Sequence, residues 1–195
     1  MVTADDMKAI VCCYWRFVRH CPYVATESTL AQGLMGGDCP IDVIAVNKNL
    51  YVIETEVKVS ISDMRQELKK NKYRHHWALA EPHEFPAAYN IAKYFYFAVP
   101  DEISLKARQV IHELYPGAGL LVVREPREGK FDTYQSIDVE VVINPKQLLG
   151  AKPITQAAAN SLLLRIVNQM CGSMVDAANA RRLARGVQMP MGVLQ

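Results

Sequence analysis

Asp42-Val-Ile-Ala-Val-Asn47, a turn at Lys48-Asn49, and Leu50-Tyr-Val-Ile-Glu-Thr-Glu-Val-Lys-Val-Ser60 form the stretch on which the fold turns. Two apolar, β-prone runs joined by a polar turn predict a β-hairpin. Alternate residues of a strand share a face, which lines up Glu54, Glu56 and Lys58 on one side. Tyr51, Ile53, Thr55, Val57 and Val59 take the other. Two acids and a lysine in an otherwise apolar strand are costly to bury unless they pair or bind an ion. The stretch therefore marks a candidate site as well as a hairpin.

On its N-terminal side, residues 3–20 predict an amphipathic helix, with Met7, Ile10, Val11, Tyr14 and Val18 at helical spacing and Pro22 as its stop. Tyr23 to Leu30 is β-prone and carries Glu27. On the C-terminal side the period changes. Ser60 or Ser62 suits an N-cap, with Asp63 in the first turn of a helix running to about Leu79. That helix is strongly basic: Arg65, Lys69, Lys70, Lys72 and Arg74, then His75 and His76, are opposed only by Asp63 and Glu67. Taken alone, such a run reads equally as a solvated face.

Lys93–Pro100 is an aromatic strand, Glu102–Tyr115 a helix, and Gly119–Val123 an apolar strand covered on both faces. A strand-helix-strand unit implies a right-handed crossover in a mixed sheet. Ile137–Ile143 reads as an edge strand. From Pro153 a long helix runs to about Arg185, with Leu163, Ile166, Val167, Met170 and Met174 on one face, to pack on the sheet or to dimerise. The expected architecture is α/β: a core over residues 1–150 and a helical extension with a tail over residues 151–195.

With half of its 195 residues apolar and 22% charged, the chain has the composition of a soluble globular protein. No run approaches a membrane span, and the first residues lack a signal-peptide layout. Five cysteines without paired spacing fit reduced thiols in a cytoplasmic setting and give no zinc pattern. A net charge of +2 is too small to imply a nucleic-acid partner by itself, so electrostatics must be judged locally.

Adjacent strands lie about 5 Å apart, so Asp42, Glu56 and Lys58 are expected to converge at one end of the sheet. Two carboxylates and a carbonyl suit Mg²⁺, which keeps several waters and a substrate phosphate. Lys58 would then serve the attacking water, and the basic helix would hold a phosphate backbone. A structural ion pair is the alternative reading of the same residues. The adjacent His75 and His76 diverge by about 100° on a helix and make a poor metal pair, though either suits a phosphate.

Ile41-Asp42 followed by Glu56-Val57-Lys58 resembles the signature of the PD-(D/E)xK nuclease superfamily. Within it, Glu56-Val-Lys-Val-Ser60-Ile-Ser-Asp63-Met64 is similar to the MmcB-like branch of bacterial DNA-repair and phage proteins. The likeness continues through Tyr94–Pro100 and Gly117–Val123 and covers Tyr23 to Arg124. It implies a restriction-endonuclease-like mixed β-sheet flanked by helices, with an additional C-terminal helix. It further implies Mg²⁺-dependent cleavage of DNA, with Mn²⁺ as a possible substitute, in a bacterial cell or a phage-infected host. Asp42 and Glu56 would be metal ligands, Lys58 the catalytic lysine and Glu27 an upstream acid assisting the metal. Ser60 and Asp63 match the branch pattern and are read as cap and hinge. Glu54 leaves the principal ligand open between itself and Glu56; spacing to Lys58 favours Glu56. Lys69, Lys70, Lys72, Arg74 and His75 are the DNA-contact candidates. The rival expectation is a non-catalytic nucleic-acid-binding or recruitment module on the same fold, and a third is an interaction protein working through its C-terminal helix as a homodimer.

Overall fold

The hairpin closes through a three-residue turn. Asn47 Oδ1 accepts hydrogen bonds from the N–H groups of Asn49 and Tyr51, at 2.9 and 3.1 Å, and Leu50 N–H donates to the Asn47 carbonyl. Leu50 sits at φ 61°, the left-handed residue such loops require. A branched side chain there costs about 1–2 kcal/mol. The Leu50 carbonyl is in turn held by the Ile154 N–H at 2.9 Å.

The computed structural model describes residues 3–28, 41–69, 92–124, 138–148 and 151–184. Its strands are β1 (Tyr23–Ser28), β2 (Ile41–Val46), β3 (Val52–Val57), β4 (Ala92–Pro100), β5 (Gly119–Val123) and β6 (Val139–Ile143). They form one six-stranded sheet in sequence order. β1–β2, β2–β3 and β5–β6 pair antiparallel, while β3–β4 and β4–β5 pair parallel. The helices are α1 (Ala4–Cys13), α2 (Ile61–Gln66, extended by a 3₁₀ turn over Glu67–Lys69), α3 (Ser104–Leu114) and α4 (Gln156–Ala184).

Side-chain alternation sorts these elements into layers. Val43, Ala45, Ile53, Val57, Tyr96, Ala98, Leu121 and Val123 face α1. Phe95, Phe97, Val99, Leu120 and Val122 face α2 and α3 on the opposite side. Ile44, Val46 and Val52 continue that side beneath Ile154, Ala159 and Leu162 at the start of α4. The chain is thus a mixed α/β sheet flanked by helices on both faces, with a C-terminal helix. Strand β5 is buried along its whole length, as its unbroken apolar run predicts. Gly119 lies opposite Tyr96, where a Cβ would stand 2.4 Å from a ring carbon. The close approach of that ring requires glycine.

Two helices depart from expectation. Thr3 and Asp6 close a capping box on α1, but its turns widen into a π-helical segment over Tyr14–Val18. The wider turn rotates the apolar stripe, so Trp15 is buried and Val18 is 48% exposed, the reverse of the regular helical spacing. Trp15 Nε1 then donates to Thr55 Oγ1 at 3.1 Å, satisfying two polar groups inside the α1 layer. On α4 the stripe that meets the sheet is Ala159, Leu162 and Ile166, while Leu163, Val167, Met170 and Met174 point away. The expected basic helix is described only to Lys69; Lys70, Lys72, Arg74 and His75 lie outside the described residues. Among the described residues, no helix is long and apolar enough to cross a membrane.

Burial pushes the phenols of Tyr96 and Tyr115 up to about 12 from their ordinary value of 10.0. The folded chain thus keeps protons that the unfolded chain has lost. This stabilisation is full below pH 10 and is lost as pH rises toward 12. Urea unfolding across that range should show falling stability, with a shallower fall in Tyr96→Phe; identical slopes in the two proteins would contradict the assignment.

Candidate functional site at the end of the central strand

Lys58 follows the last residue of β3, and its N–H donates to the Ala98 carbonyl of β4 at 2.9 Å. Two residues later Ser60 Oγ accepts from the Asp63 N–H at 3.1 Å and caps α2, so the chain turns directly from strand into helix. Tyr115 O–H donates to the Met64 carbonyl and ties that helix to the end of α3. The tight turn carries Glu67 back over the strand end. Lys58 Nζ lies 2.6 Å from Glu67 Oε2, 3.4 Å from Glu56 Oε2 and 3.9 Å from Asp63 Oδ2.

This cluster is almost dry. Glu54, Glu56 and Glu67 are each 1% exposed and Lys58 is 4% exposed, while Asp63 opens to solvent. Glu54 and Glu56 share the strand face of Lys58 by alternation. Among the described residues, the carboxyl groups of Glu54, Glu56 and Glu67 and the ammonium of Lys58 are thus all buried.

Asp42 stands on the neighbouring strand. Asn47 N–H donates to the Tyr51 carbonyl, so the ladder bonds of the hairpin fall on odd-numbered residues, and the paired register runs as far as Val43 opposite Thr55. The next donor, Val57 N–H, is taken by Asp42 Oδ2 at 2.9 Å rather than by a backbone carbonyl. Lys8 Nζ of α1 lies 3.5 Å from Asp42 Oδ1. Glu27 sits between Thr26, paired with Val43, and Ser28, paired with Ile41, which places it opposite Asp42 in register.

Of the sequence candidates, Glu56, Lys58 and Asp63 meet directly, Glu54 shares their face, and Ser60 caps the helix that completes the cluster. Asp42 lies at the adjacent strand end, but its carboxylate is held by Val57 N–H and Lys8. Lys69 is exposed at the last described turn, and Arg65 pairs with Glu113 at 3.4 Å, neutralising part of the expected cationic face.

Sequence reading missed Lys8 and the main partner of Lys58, Glu67. Glu67 reads as a counter-charge on a basic helix; its signal is the four-residue step from Asp63, which places both acids on one helical face.

Among the described residues, no group of three or more His, Cys, Asp or Glu side chains is placed to hold a metal ion. Mg²⁺ asks less of a protein, since one or two carboxylates with water and phosphate satisfy it. Asp42 and Glu56 carry hard oxygen donors on adjacent strands, where Lys8 and the Val57 N–H hold the first and Lys58 the second. The thiol of Cys12, pushed up to about 12 by burial, offers no competing soft site.

No family model and no curated protein matches the chain. A solved structure, the SPO1766 protein of unknown function from Silicibacter pomeroyi, is similar over 99% of this chain and 98% of that one, with a TM-score of 0.50 and 17% identity. That likeness concerns the fold alone.

Removing Lys58 leaves buried carboxylates without their ammonium. Lys58→Ala should lower the unfolding free energy by about 3–5 kcal/mol. Glu67→Gln, which leaves Lys58 with Glu56 and Asp63, should cost less than half as much. Urea denaturation of the two variants checks this, and equal losses would contradict the ranking.

Proposed function

We propose that the chain is a metal-dependent nuclease that hydrolyses DNA phosphodiester bonds, on a restriction-endonuclease-like version of its mixed sheet. The observation that carries this reading is the buried Glu56–Lys58 pair at the end of β3, beside Asp42 on β2. The order Asp42, Glu56, Lys58, Ser60, Asp63 resembles the PD-(D/E)xK signature in its MmcB-like form.

In this reading Asp42 and Glu56 hold Mg²⁺ or Mn²⁺, with Glu27 a further candidate by its strand position. When bound, the ion neutralises charge on the phosphate and lowers the pKa of its water. Lys58 donates to the attacking water and to the phosphate oxygens as their charge grows. Glu67 and Glu56 hold the Lys58 ammonium in place. Lys69, with Lys70, Lys72, Arg74 and His75 after it, contacts the DNA backbone, making binding salt-dependent. The setting that the resemblance suggests is bacterial DNA repair or phage DNA processing.

A second reading, a non-catalytic nucleic-acid-binding or recruitment module, is favoured by one feature: the network is already internally paired. Lys8 and Val57 N–H hold Asp42, while Glu67 holds Lys58. Here the acids and the lysine serve only the fold.

Mg²⁺ or Mn²⁺ titrated into the native protein should raise its melting temperature in a saturable way, since an ion that binds only the folded state stabilises it. Asp42→Asn should lose that response and, with it, cleavage of plasmid or single-stranded DNA. Lys58→Ala, assayed below its own melting range, should lose at least about 100-fold in cleavage while still binding DNA. No metal response and no cleavage by the native protein would reject the nuclease in favour of the module.

A further inference from the structure

Helix α4 carries two apolar stripes, of which the sheet uses one. Over 29 residues it is about 43 Å long. Its seat on the fold runs through Ala159, Leu162 and Ile166 to Gln169, whose Nε2 donates to the Thr26 carbonyl at 2.9 Å. Beside that seat, Leu163, Val167, Met170 and Met174 lie between 45% and 64% exposed. Leu164 and Val175 flank them, also more than half exposed. Between Gln156 and Val175 the helix has a single charged residue, Arg165. A solvated helix face is normally rich in charge, and this one is not.

The spacing indicates what covers it. Leu163, Val167, Met170, Met174 and Ala177 follow steps of four, three, four and three, the seam of a helix that packs lengthwise against another helix. The absence of charge along the seam argues against nucleic acid or an acidic peptide. An apolar seam of this kind is complementary to itself. Six half-exposed side chains on each of two copies bring together on the order of 1,000 Å², the lower bound of a specific interface.

Charge sets the direction. Arg181 occupies the next seam position after Ala177. Parallel pairing would bring the two Arg181 side chains within about 10 Å of each other. Antiparallel pairing centred between Val167 and Met170 keeps them about 37 Å apart and aligns the helix dipoles head to tail.

We infer that α4 is the interface of a homodimer in which two copies pair antiparallel through Leu163, Val167, Met170 and Met174. The inference is independent of the nuclease reading, because the stripe shares no residue with the Lys58 cluster.

Sedimentation equilibrium on the full chain tests it. The native protein should pass from monomer to dimer between about 1 and 100 μM, as the modest area implies. Met170→Lys and Val167→Lys, at exposed positions, should stay monomeric with unchanged circular dichroism and melting temperature. For direction, a spin label on Ala177→Cys, with Cys13, Cys39 and Cys171 changed to serine, should report labels about 25 Å apart, against about 10 Å for a parallel pair. A native protein monomeric throughout, a dimer indifferent to Met170→Lys, or the short distance would each overturn the proposal. So would dimers appearing only after deletion of residues 186–195, which would make the chain's own tail the occupant of the stripe.

Discussion

The burial of the Lys58 ammonium at the end of β3 is the constraint on which the rest of this structure depends. An ammonium that is almost fully buried must be met by carboxylates. Meeting it fixes the path of the chain for ten residues: β3 ends at Val57, Ser60 caps the helix, and α2 folds back at once so that Glu67 reaches Lys58 at 2.6 Å. The Tyr115–Met64 hydrogen bond and the packing of Met64 among Phe95, Val110 and Tyr115 hold that helix from its far side. A purely hydrophobic strand end would satisfy the sheet at least as well.

The sheet sets the geometry of this strand end. β3 lies inside the sheet, antiparallel to β2 and parallel to β4, and its final residues are positioned from both sides. On one side Lys58 N–H bonds to β4; on the other Val57 N–H bonds to the Asp42 side chain. Asp42 thereby acts as a ladder partner and as a carboxylate at the strand end, and Lys8 from the opposite layer balances its charge. Two separate lysine counter-ions, Lys8 and Lys58, thus balance the acids Asp42 and Glu56 within the fold.

Much of this fold was legible in the sequence because it is written in local signals. The hairpin followed from two apolar runs and a polar turn, and β4 and β5 from aromatic and β-branched composition. The placement of Glu54, Glu56 and Lys58 on one face followed from strand alternation. What escaped reading depended on distance along the chain or on a departure from ideal geometry. Lys8 and Asp42 are far apart in sequence, and nothing local announces their meeting. Glu67 resembled an ordinary surface counter-charge because its helix is basic. The π-helical turn exchanged Val18 for Trp15, since a 3.6-residue period cannot anticipate a wider turn. On α4, two adjacent apolar stripes merged into one in the sequence pattern, and only the packing of Leu162 and Ile166 separates them.

The proposal to test is that Asp42 and Glu56, which pair with Lys8 and Lys58, form a cation site. Crystals soaked in Mn²⁺ and measured at a wavelength that reveals manganese test it most directly. The account predicts one strong anomalous peak within coordinating distance of both carboxylates, with Lys8 drawn away from Asp42. A well-ordered site with both lysines in place and manganese only at surface acids would contradict it.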